Sequence, residues 1–284
     1  MKSVKIYAVS LAKIVNIIIA VIVLILSLLF FIDYIANREP VEKIKTASSG
    51  EVSKLAKLAL IIDDFGQARA GVSEFMNFER KITFAIMPML QFSDKDLRDS
   101  LEKGHEAILH IPLQSQKRDN PSWVGPHVIK VNASSDDIED KVRQFCESMP
   151  GIKGANFHMG ALGSTDLRVM QSIIKVIHDN GLYFVDSRTS PKSTCKEAAR
   201  GIGCRFATNR VFLEQGDKSV AGVKKQLKKA ADISVKTGSC IAIGHVGGEG
   251  GVNTINAINQ FLSELDKMNV ELVYASELVS VIEN

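Results

Sequence analysis

Short apolar runs alternate with longer amphipathic stretches along most of the chain, from residue 58 to its end. The runs are too short and too uniformly apolar for helices, and we predict strands at 58–62, 82–87, 107–109, 153–157, 182–185, 239–243 and 270–274. The stretches between them have the helical period, and we predict helices at 93–103, 136–149, 167–180, 220–236 and 252–268. This alternation predicts an α/β fold with a parallel sheet, either a barrel or a doubly wound sheet.

The amino-terminal region has a different pattern. Residues 14–32 are apolar apart from Asn16 and Ser27, and about 20 such residues cross the hydrocarbon core of a bilayer. Lysines at positions 2, 5 and 13 precede this segment, and the first charge after it is Asp33. The positive-inside bias therefore predicts a transmembrane helix with a cytoplasmic amino terminus and an extracytoplasmic domain.

A cleaved signal peptide, which would give a secreted protein, is the alternative for this segment. The apolar run is longer than the roughly 7–15 residues of a signal-peptide core, and no clear A-x-A-like cleavage site follows it. We therefore predict a membrane anchor over residues 1–35. Residues 36–56 mix charges with small polar side chains, as linkers do, and residues 57–284 show no repeat, which predicts one domain.

The composition and the absence of certain motifs exclude some classes of function. A hydrophobic fraction of 45% and a charged fraction of 24% are ordinary for a globular protein, and a net charge of +3 does not indicate nucleic-acid binding. The chain carries neither a Gly-rich dinucleotide fingerprint after its first strand nor a Walker phosphate loop, so we expect no nucleotide. Cys195 and Cys204 could form a disulfide or remain two buried thiols, and the sequence leaves both open.

Five predicted strands end in a carboxylate or an imidazole. These residues are Asp63 and Asp64, His110, His158, Asp186 and His245. The carboxyl ends of parallel strands converge on one crevice, where such side chains would meet. Each also has an ordinary structural role open to it, since aspartates cap helices or form turns and histidines can be satisfied in a core. Adjacent buried carboxylates repel each other unless a cation or a shared proton compensates, which favours a functional site.

This set of residue types fits metal-assisted hydrolysis. Two imidazoles and one carboxylate form a common catalytic zinc site with a free coordination position. The ion polarises a carbonyl and acidifies bound water, a second carboxylate takes the proton, and another histidine protonates the leaving group. No Gly-x-Ser-x-Gly motif indicates a serine nucleophile. We therefore expect a divalent cation as cofactor, with zinc as the first choice.

Six segments, in this order, resemble the divergent polysaccharide deacetylase family, a distant branch of the polysaccharide deacetylase superfamily. They are LIIDDFG at 60–66, FAIMP at 84–88, GHEAILHIP at 104–112, NFHMG at 156–160, FVDSRTS at 184–190 and AIGH at 242–245. The resemblance covers about residues 57–280. It implies an irregular (β/α) barrel of the polysaccharide deacetylase type and a metal-dependent hydrolase that removes acetyl groups from envelope polysaccharide or peptidoglycan-type glycan.

The resemblance also implies roles for single residues. It makes Asp63 the catalytic base, and Asp64 and His110 metal ligands. Gln114 stands where the superfamily has a second histidine ligand, and we expect His158 to replace it. The other implied roles are His245 as catalytic acid and Asp186, Asn156 and Ser164 as supporting residues.

Two segments depart from the family pattern. Residues 160–165 read GALGST where the family continues into Ser-Arg-Phe-Thr, and residues 246–251 read VGGEGG where it tends to have Pro-Arg-Pro-Glu-Thr. The expected partners are an acetylated glycan and the membrane. A catalytically degenerate barrel that binds glycan or acts as an envelope interaction protein is the alternative that these departures leave open.

Overall fold

The structure, a computed structural model, describes residues 55–283 together with residues 24, 25 and 27. Among these residues, no helix combines the length and the hydropathy that crossing a bilayer requires. Apart from the few positions just named, the predicted anchor over residues 1–35 and linker over residues 36–56 lie outside the described residues. Both stay predictions.

One sheet of ten strands forms the centre of the fold. The strands are β1 (Ala56–Phe65), β2 (Thr83–Ile86), β3 (Glu106–Leu113), β4 (Gly154–Met159), β5 (Tyr183–Asp186), β6 (Arg205–Thr208), β7 (Val211–Phe212), β8 (Ser239–His245), β9 (Val270–Val273) and β10 (Ser280–Val281). All seven predicted strands are confirmed, with ends that differ by a few residues. The structure adds three strands, β6, β7 and β10. Of these, β7 and β10 have two residues each, too few to show a pattern in the sequence.

Helices connect most of the strands. They are α1 (Val72–Met76), α2 (Ser93–Glu102), α3 (Pro121–Val124), α4 (Ser135–Glu147), α5 (Leu167–Asp179), α6 (Cys195–Ile202), α7 (Val220–Thr237) and α8 (Gly251–Lys267). The five predicted helices are α2, α4, α5, α7 and α8. Side chains at their ends explain several boundaries: Ser134, Asp166 and Ser219 each accept a hydrogen bond from a first-turn N–H group.

The strand order distinguishes between the two predicted arrangements of the sheet. It runs β10-β6-β5-β4-β3-β2-β1-β8-β7, and β9 pairs with the first half of β1. Strands β1 to β6 are therefore neighbours in chain order, as in a barrel, whereas a doubly wound sheet reverses direction at a switch point. Within the described residues no ladder joins β6 to β7, so the barrel is incompletely closed. All pairings are parallel except that of β10 with β6.

Both faces of the sheet are buried, as expected for parallel strands covered by helices. Leu58, Leu60 and Ile62 of β1 belong to a large outer core between the strands and the helices. Ala59 and Ile61 belong to a smaller core inside the barrel. The same alternation in the other strands fixes which strand-end side chains can meet in the interior. Cys195 and Cys204 are buried free thiols.

Candidate metal centre

Five polar side chains continue the inward-facing rows of their strands. They are Asp63 on β1, His110 on β3, Asn156 and His158 on β4, and His245 on β8. On β1, β3 and β8, the residues two positions earlier (Ile61, Ile108 and Ile243) lie in the inner core. Because successive side chains alternate between the faces of a strand, these polar groups follow the inner row to the carboxyl end of the barrel.

Asp64 departs from this alternation. Its neighbour two positions earlier, Ile62, faces the outer core, so a regular strand would turn the Asp64 side chain outwards. Instead, Asp64 has a left-handed backbone with φ of 72°, and the pairing of β1 with β2 shifts register between Ile62 and Phe65. This conformation costs a non-glycine residue about 1–2 kcal/mol and is typical of functional sites. It places both adjacent carboxylates at the same site.

Asp64, His110 and His158 form a compact cluster. Asp64 Oδ1 lies 2.9 Å from His158 Nδ1 and 3.3 Å from His110 Nε2. One ligand atom from each residue lies within 4.8 Å of the others. This is the geometry and the chemical set, one carboxylate oxygen and two imidazole nitrogens, of a site for a divalent cation such as Zn²⁺.

A hydrogen bond with Asn156 orients His110 so that its Nε2 atom can bind a cation. The Asn156 side chain accepts a 2.7 Å hydrogen bond from His110 Nδ1 and donates a 2.8 Å hydrogen bond to Asp63 Oδ1. With its amide nitrogen committed to Asp63, Asn156 can only offer an oxygen to His110, so His110 carries its proton on Nδ1. The Nε2 lone pair of His110 is then free for a cation, and a hydrogen bond of this kind is typical of metal-bound histidines.

Two buried atoms in this cluster indicate whether a cation would fit between its residues. Asp64 Oδ1 and His110 Nε2 make no hydrogen bond of acceptable geometry within the described part of the chain, although they are in close contact. Buried polar atoms are normally satisfied, and an unsatisfied one calls for a specific explanation. A cation between these atoms and His158 would satisfy both, so the residues fit a bound metal ion.

The two aspartates have opposite pKa shifts. Burial raises the pKa of Asp63, and the nearby His110 and His245 offset this only in part. Burial also acts to raise the pKa of Asp64, but the contacts from His110 and His158 outweigh it and hold the pKa well below its usual range. Asp64 is therefore the permanent anion of the pair, as a metal ligand must be. Asp63 is the more basic carboxylate.

His245 is held by a buried carboxylate that sequence reasoning missed. Glu214 Oε2 accepts a 2.9 Å hydrogen bond from His245 Nδ1, and Glu214 Oε1 accepts from the His245 backbone N–H at 3.0 Å and from Thr254 Oγ1 at 2.7 Å. Burial acts to lower the pKa of His245. The Glu214 contact and the charges of Asp64 and Asp63 overcome this and raise the pKa to about 9. His245 is therefore a cation at neutral pH.

A cavity of about 800 Å³ gives access to these groups. Asp63, Asp64, His110, His158 and His245 all contribute to its wall. Its other lining residues include Met87, Met159 and Phe212, which give it an apolar side, and Ser122, Ser187 and Thr189. The cavity thus combines titratable groups with an apolar surface, as ligand-binding pockets commonly do.

Other residues singled out in the sequence lie elsewhere. Asp186 is two positions after Phe184, which faces the outer core, and Asp186 accepts a hydrogen bond from the Arg188 N–H in a turn. The backbone carbonyl of Ser164 accepts hydrogen bonds from Thr194. Neither Asp186 nor Ser164 is among the residues that line the cavity, and their supporting roles stay predictions.

Gln114 has a role different from that of the histidine in the family pattern. Its side-chain oxygen accepts a 2.9 Å hydrogen bond from the Val131 N–H, and its amide group donates to the Gln116 carbonyl. Gln114 therefore fixes a neighbouring loop. His158, from the next strand, lies beside Asp64, and its role as a metal ligand stays a prediction.

Comparisons with known proteins agree with this architecture. An uncharacterized protein, YibQ, of Escherichia coli K12 is 28% identical over 79% of this chain and 67% of its own length. An uncharacterized protein of Haemophilus influenzae is 28% identical over 67% of this chain and 66% of its own length. The chain thus spans about two thirds of the length of these curated relatives.

Solved structures show the same fold. An uncharacterized protein of Agrobacterium tumefaciens C58 has a TM-score of 0.69 at 21% identity, over 81% of this chain and 92% of that chain. A Mycobacterium smegmatis protein assigned as a polysaccharide deacetylase has a TM-score of 0.53 at 13% identity, over 81% of this chain and 91% of that chain. The fold is therefore the α/β half-barrel of polysaccharide deacetylases.

The family profile gives the assignment. The profile described as divergent polysaccharide deacetylase matches residues 60–279, which include every strand from β2 to β9 and the carboxyl half of β1. This match covers well over half of the chain, and it includes all the residues of the candidate metal centre. The protein therefore belongs to the divergent polysaccharide deacetylase family.

Proposed function

We propose that this protein is a divalent-metal-dependent hydrolase that removes acetyl groups from a glycan of the cell envelope. The observation that carries the proposal is the cluster of Asp64, His110 and His158, with its two unsatisfied buried atoms, beside Asp63 and His245. Family membership and the deacetylase half-barrel support the choice of an acetylated glycan as substrate.

Asp64, His110 and His158 would hold the cation. Zinc is the first choice because two imidazoles and a carboxylate are a frequent zinc ligand set. A bound divalent cation supplies Lewis acidity that polarises the carbonyl oxygen of an acetyl group. The low pKa of Asp64 keeps its carboxylate charged at neutral pH. The hydrogen bond from His110 Nδ1 to Asn156 leaves Nε2 as the ring atom that faces the cation.

Asp63 is the proposed general base. Burial raises its pKa, which makes the carboxylate a better proton acceptor than an exposed aspartate. It takes a proton from the attacking water as a new C–O bond forms at the acetyl carbon. The hydrogen bond from Asn156 orients Oδ1 of Asp63.

His245 is the proposed general acid. Its raised pKa of about 9 keeps it protonated at neutral pH, and Glu214 orients the ring through Nδ1. It donates its proton to the nitrogen or oxygen that leaves as the C–N or C–O bond of the acetyl group breaks. The products are acetate and the free amine or hydroxyl of the sugar.

We also propose that residues 14–32 anchor the domain outside the cytoplasmic membrane. The lysines at positions 2, 5 and 13 and the apolar run support this topology. In cells, the chain should fractionate with membranes, and its carboxyl-terminal domain should be cleaved by protease added from outside. Recovery of the intact chain in the cytosolic fraction would contradict the anchor.

Acetate release tests the hydrolase directly. The full chain, in a neutral detergent, is incubated with zinc and either an N-acetylglucosamine hexamer or an O-acetylated xylan oligomer, which distinguishes amide from ester substrates. We expect release by the wild type and a loss of about a hundredfold or more in Asp63→Asn, with bound metal retained. Asp179→Asn, at an exposed carboxylate on α5, is the matched control and should keep full activity.

The alternative function is an outcome of the same experiment. The departures at residues 160–165 and 246–251 would favour a glycan-binding protein without catalysis. Binding of the hexamer without acetate release from either substrate, with or without added metal, would establish that alternative and reject the hydrolase.

A further inference from the structure

A second cavity, of about 980 Å³, lies beside the candidate metal centre. The short helix α3 separates the two, since Ser122 lines the first cavity and Pro121 and Val124 line the second. Gln114, also in its wall, directly follows β3, so this cavity opens at the same end of the barrel as the metal centre. Gln114 is four residues beyond His110, which corresponds to about 13 Å along a strand.

The wall of this cavity is held in place by hydrogen bonds. Gln114 accepts from the Val131 N–H at 2.9 Å, and Arg168 donates to the carbonyl oxygens of Val131 at 2.6 Å and Ala133 at 2.9 Å. The Ile129 N–H donates to the Pro112 carbonyl of β3 at 2.8 Å. The segment 129–133 is therefore fixed to the barrel, and this side of the cavity is preformed.

Four cationic side chains contribute to this wall. They are Lys117, Arg118, Lys130 and Lys141. Within the part of the chain that the structure describes, none of them has a carboxylate within ion-pair distance, whereas Lys175 and Arg143 nearby are paired with Glu139 and Asp140. The two aspartates of the wall are engaged, Asp119 by the N–H groups of Ser115 and Gln116, and Asp137 by Ser134.

We propose that this cavity binds carboxylate groups of the glycan whose acetyl group occupies the metal centre. An unpaired cluster of lysine and arginine side chains in a preformed concave wall attracts anions, and Arg118 offers the planar donor pair that matches a carboxylate. This inference rests on the proposed function, and it specifies the substrate class as an anionic rather than a neutral acetylated glycan. A glycan that occupies both cavities at once crosses α3.

Direct binding measurements test this inference without relying on catalysis. The full chain in neutral detergent is titrated with three probes: a neutral N-acetylglucosamine hexamer, a hexamer in which every second sugar is a glucuronate, and inorganic phosphate. The test variant replaces all four cations by glutamine (Lys117→Gln, Arg118→Gln, Lys130→Gln, Lys141→Gln). The control removes the same charge from α7 (Lys224→Gln, Lys225→Gln, Lys228→Gln, Lys229→Gln).

The wild type should bind the anionic hexamer about tenfold more tightly than the neutral one, and added salt should reduce this preference. The test variant should lose the preference and bind the neutral hexamer within about twofold of the wild type, while the α7 control should keep it. Phosphate binding equal to that of the anionic hexamer would show a free-anion site and overturn the glycan assignment.

The two proposals fail separately. Equal affinity of the wild type for both hexamers, together with acetate release, would reject the anionic subsite and leave the hydrolase standing. A charge-dependent preference without acetate release would support the subsite on a protein that binds glycan but does not hydrolyse it. A test variant that changes its thermal unfolding is replaced by the Lys130→Gln and Lys141→Gln single variants, each expected to weaken anionic-hexamer binding about twofold.

Discussion

At the scale of single residues, Asn156 links Asp63, the proposed base, to His110, a proposed metal ligand. It is fully buried and joins Asp63 to His110 through both ends of its amide group. Replacing it by alanine removes the group that fixes the His110 tautomer. We expect Asn156→Ala to weaken zinc affinity 10- to 100-fold, as loss of such supporting hydrogen bonds does. Competition with a chromophoric chelator measures the affinity.

The exposed Asn77 at the end of α1 provides the matched control. Asn77→Ala should leave zinc affinity unchanged. An Asn156→Ala variant that binds zinc as tightly as the wild type would show that His110 is oriented by packing alone.

His245 gives a prediction for pH dependence. Because its pKa in the folded state is raised to about 9, above the value near 6.5 of an unfolded chain, protonation of His245 stabilises the fold. That stabilisation is fully present below pH 6.5 and is lost as the pH rises through about 9. It amounts to about 3 kcal/mol in the free energy of unfolding.

Glu214→Gln keeps the shape of the His245 partner and removes its charge. We expect the His245 NMR titration midpoint, recorded with a chelator present, to fall from about 9 towards 6.5. Glu197→Gln, at an exposed carboxylate on α6, should leave the midpoint in place. A midpoint unaffected by Glu214→Gln would mean that the charges of Asp63 and Asp64 alone hold the His245 proton.

The residue scale also shows what the sequence could reveal. Asp63, His110 and His245 follow apolar strands, so strand alternation predicts that they face a common interior. Glu214 follows β7, which has only two residues, and so short a strand produces no detectable alternation. The left-handed backbone of Asp64 could not be predicted from the sequence either. Strand alternation alone would place the Asp64 side chain on the outer face.

At the scale of elements, the turn after β1 depends on helix α2. Asp96 of α2 is fully buried, accepts a 2.9 Å hydrogen bond from the Gly66 N–H, and contacts the Arg69 guanidinium at 2.7 Å. The tight turn needs glycine at position 66, since a side-chain carbon there would lie 2.8 Å from the Met87 carbonyl. Helix α2 therefore holds the backbone just beyond Asp64.

Asp96→Ala should lower the free energy of unfolding by about 2 kcal/mol, measured by urea titration. The main cost is the unsatisfied Gly66 N–H, because the partly exposed Arg69 can regain solvent. Asp99→Ala removes a half-buried carboxylate of the same helix whose ion pair with Lys95 lies at the surface, and it should change stability by no more than about 0.5 kcal/mol. Equal effects of the two substitutions would show that α2 does not hold the turn.

Elements differ in how far their sequence predicts them. The long helices such as α5 and α7 have an apolar face and a serine or aspartate cap, and the local sequence is enough to predict both features. Asp186 follows a confirmed strand, yet it continues the outward-facing row of Phe184. Its position at a strand end was therefore predictable from the apolar run, whereas its distance from the cavity depends on which face of β5 turns inwards.

At the scale of the whole molecule, the buried polar groups at the two ends of the barrel differ in how far the protein satisfies their hydrogen bonds. At the amino end of the strands, Glu106 Oε1 accepts hydrogen bonds from Thr83 Oγ1 at 2.9 Å, Tyr183 OH at 2.7 Å and the Ser276 N–H at 3.2 Å. Through this one oxygen, the carboxylate joins β2, β3, β5 and the carboxyl-terminal segment. At the opposite end, Asp64 and His110 keep unsatisfied atoms. The buried carboxylate at one end is thus satisfied within the protein, whereas two buried atoms at the other end remain available to the proposed cation.

Asp64, His110 and His158, which are far apart in the sequence, are proposed to bind one divalent cation together. The direct test of this claim is the metal content of the full chain after zinc loading and dialysis, measured by mass spectrometry. We expect about one ion per wild-type chain and near-complete loss in His110→Ala and in His158→Ala. The exposed His178 of α5 gives the control, since His178→Ala should bind as the wild type does. Equal metal content in all four proteins would contradict the account.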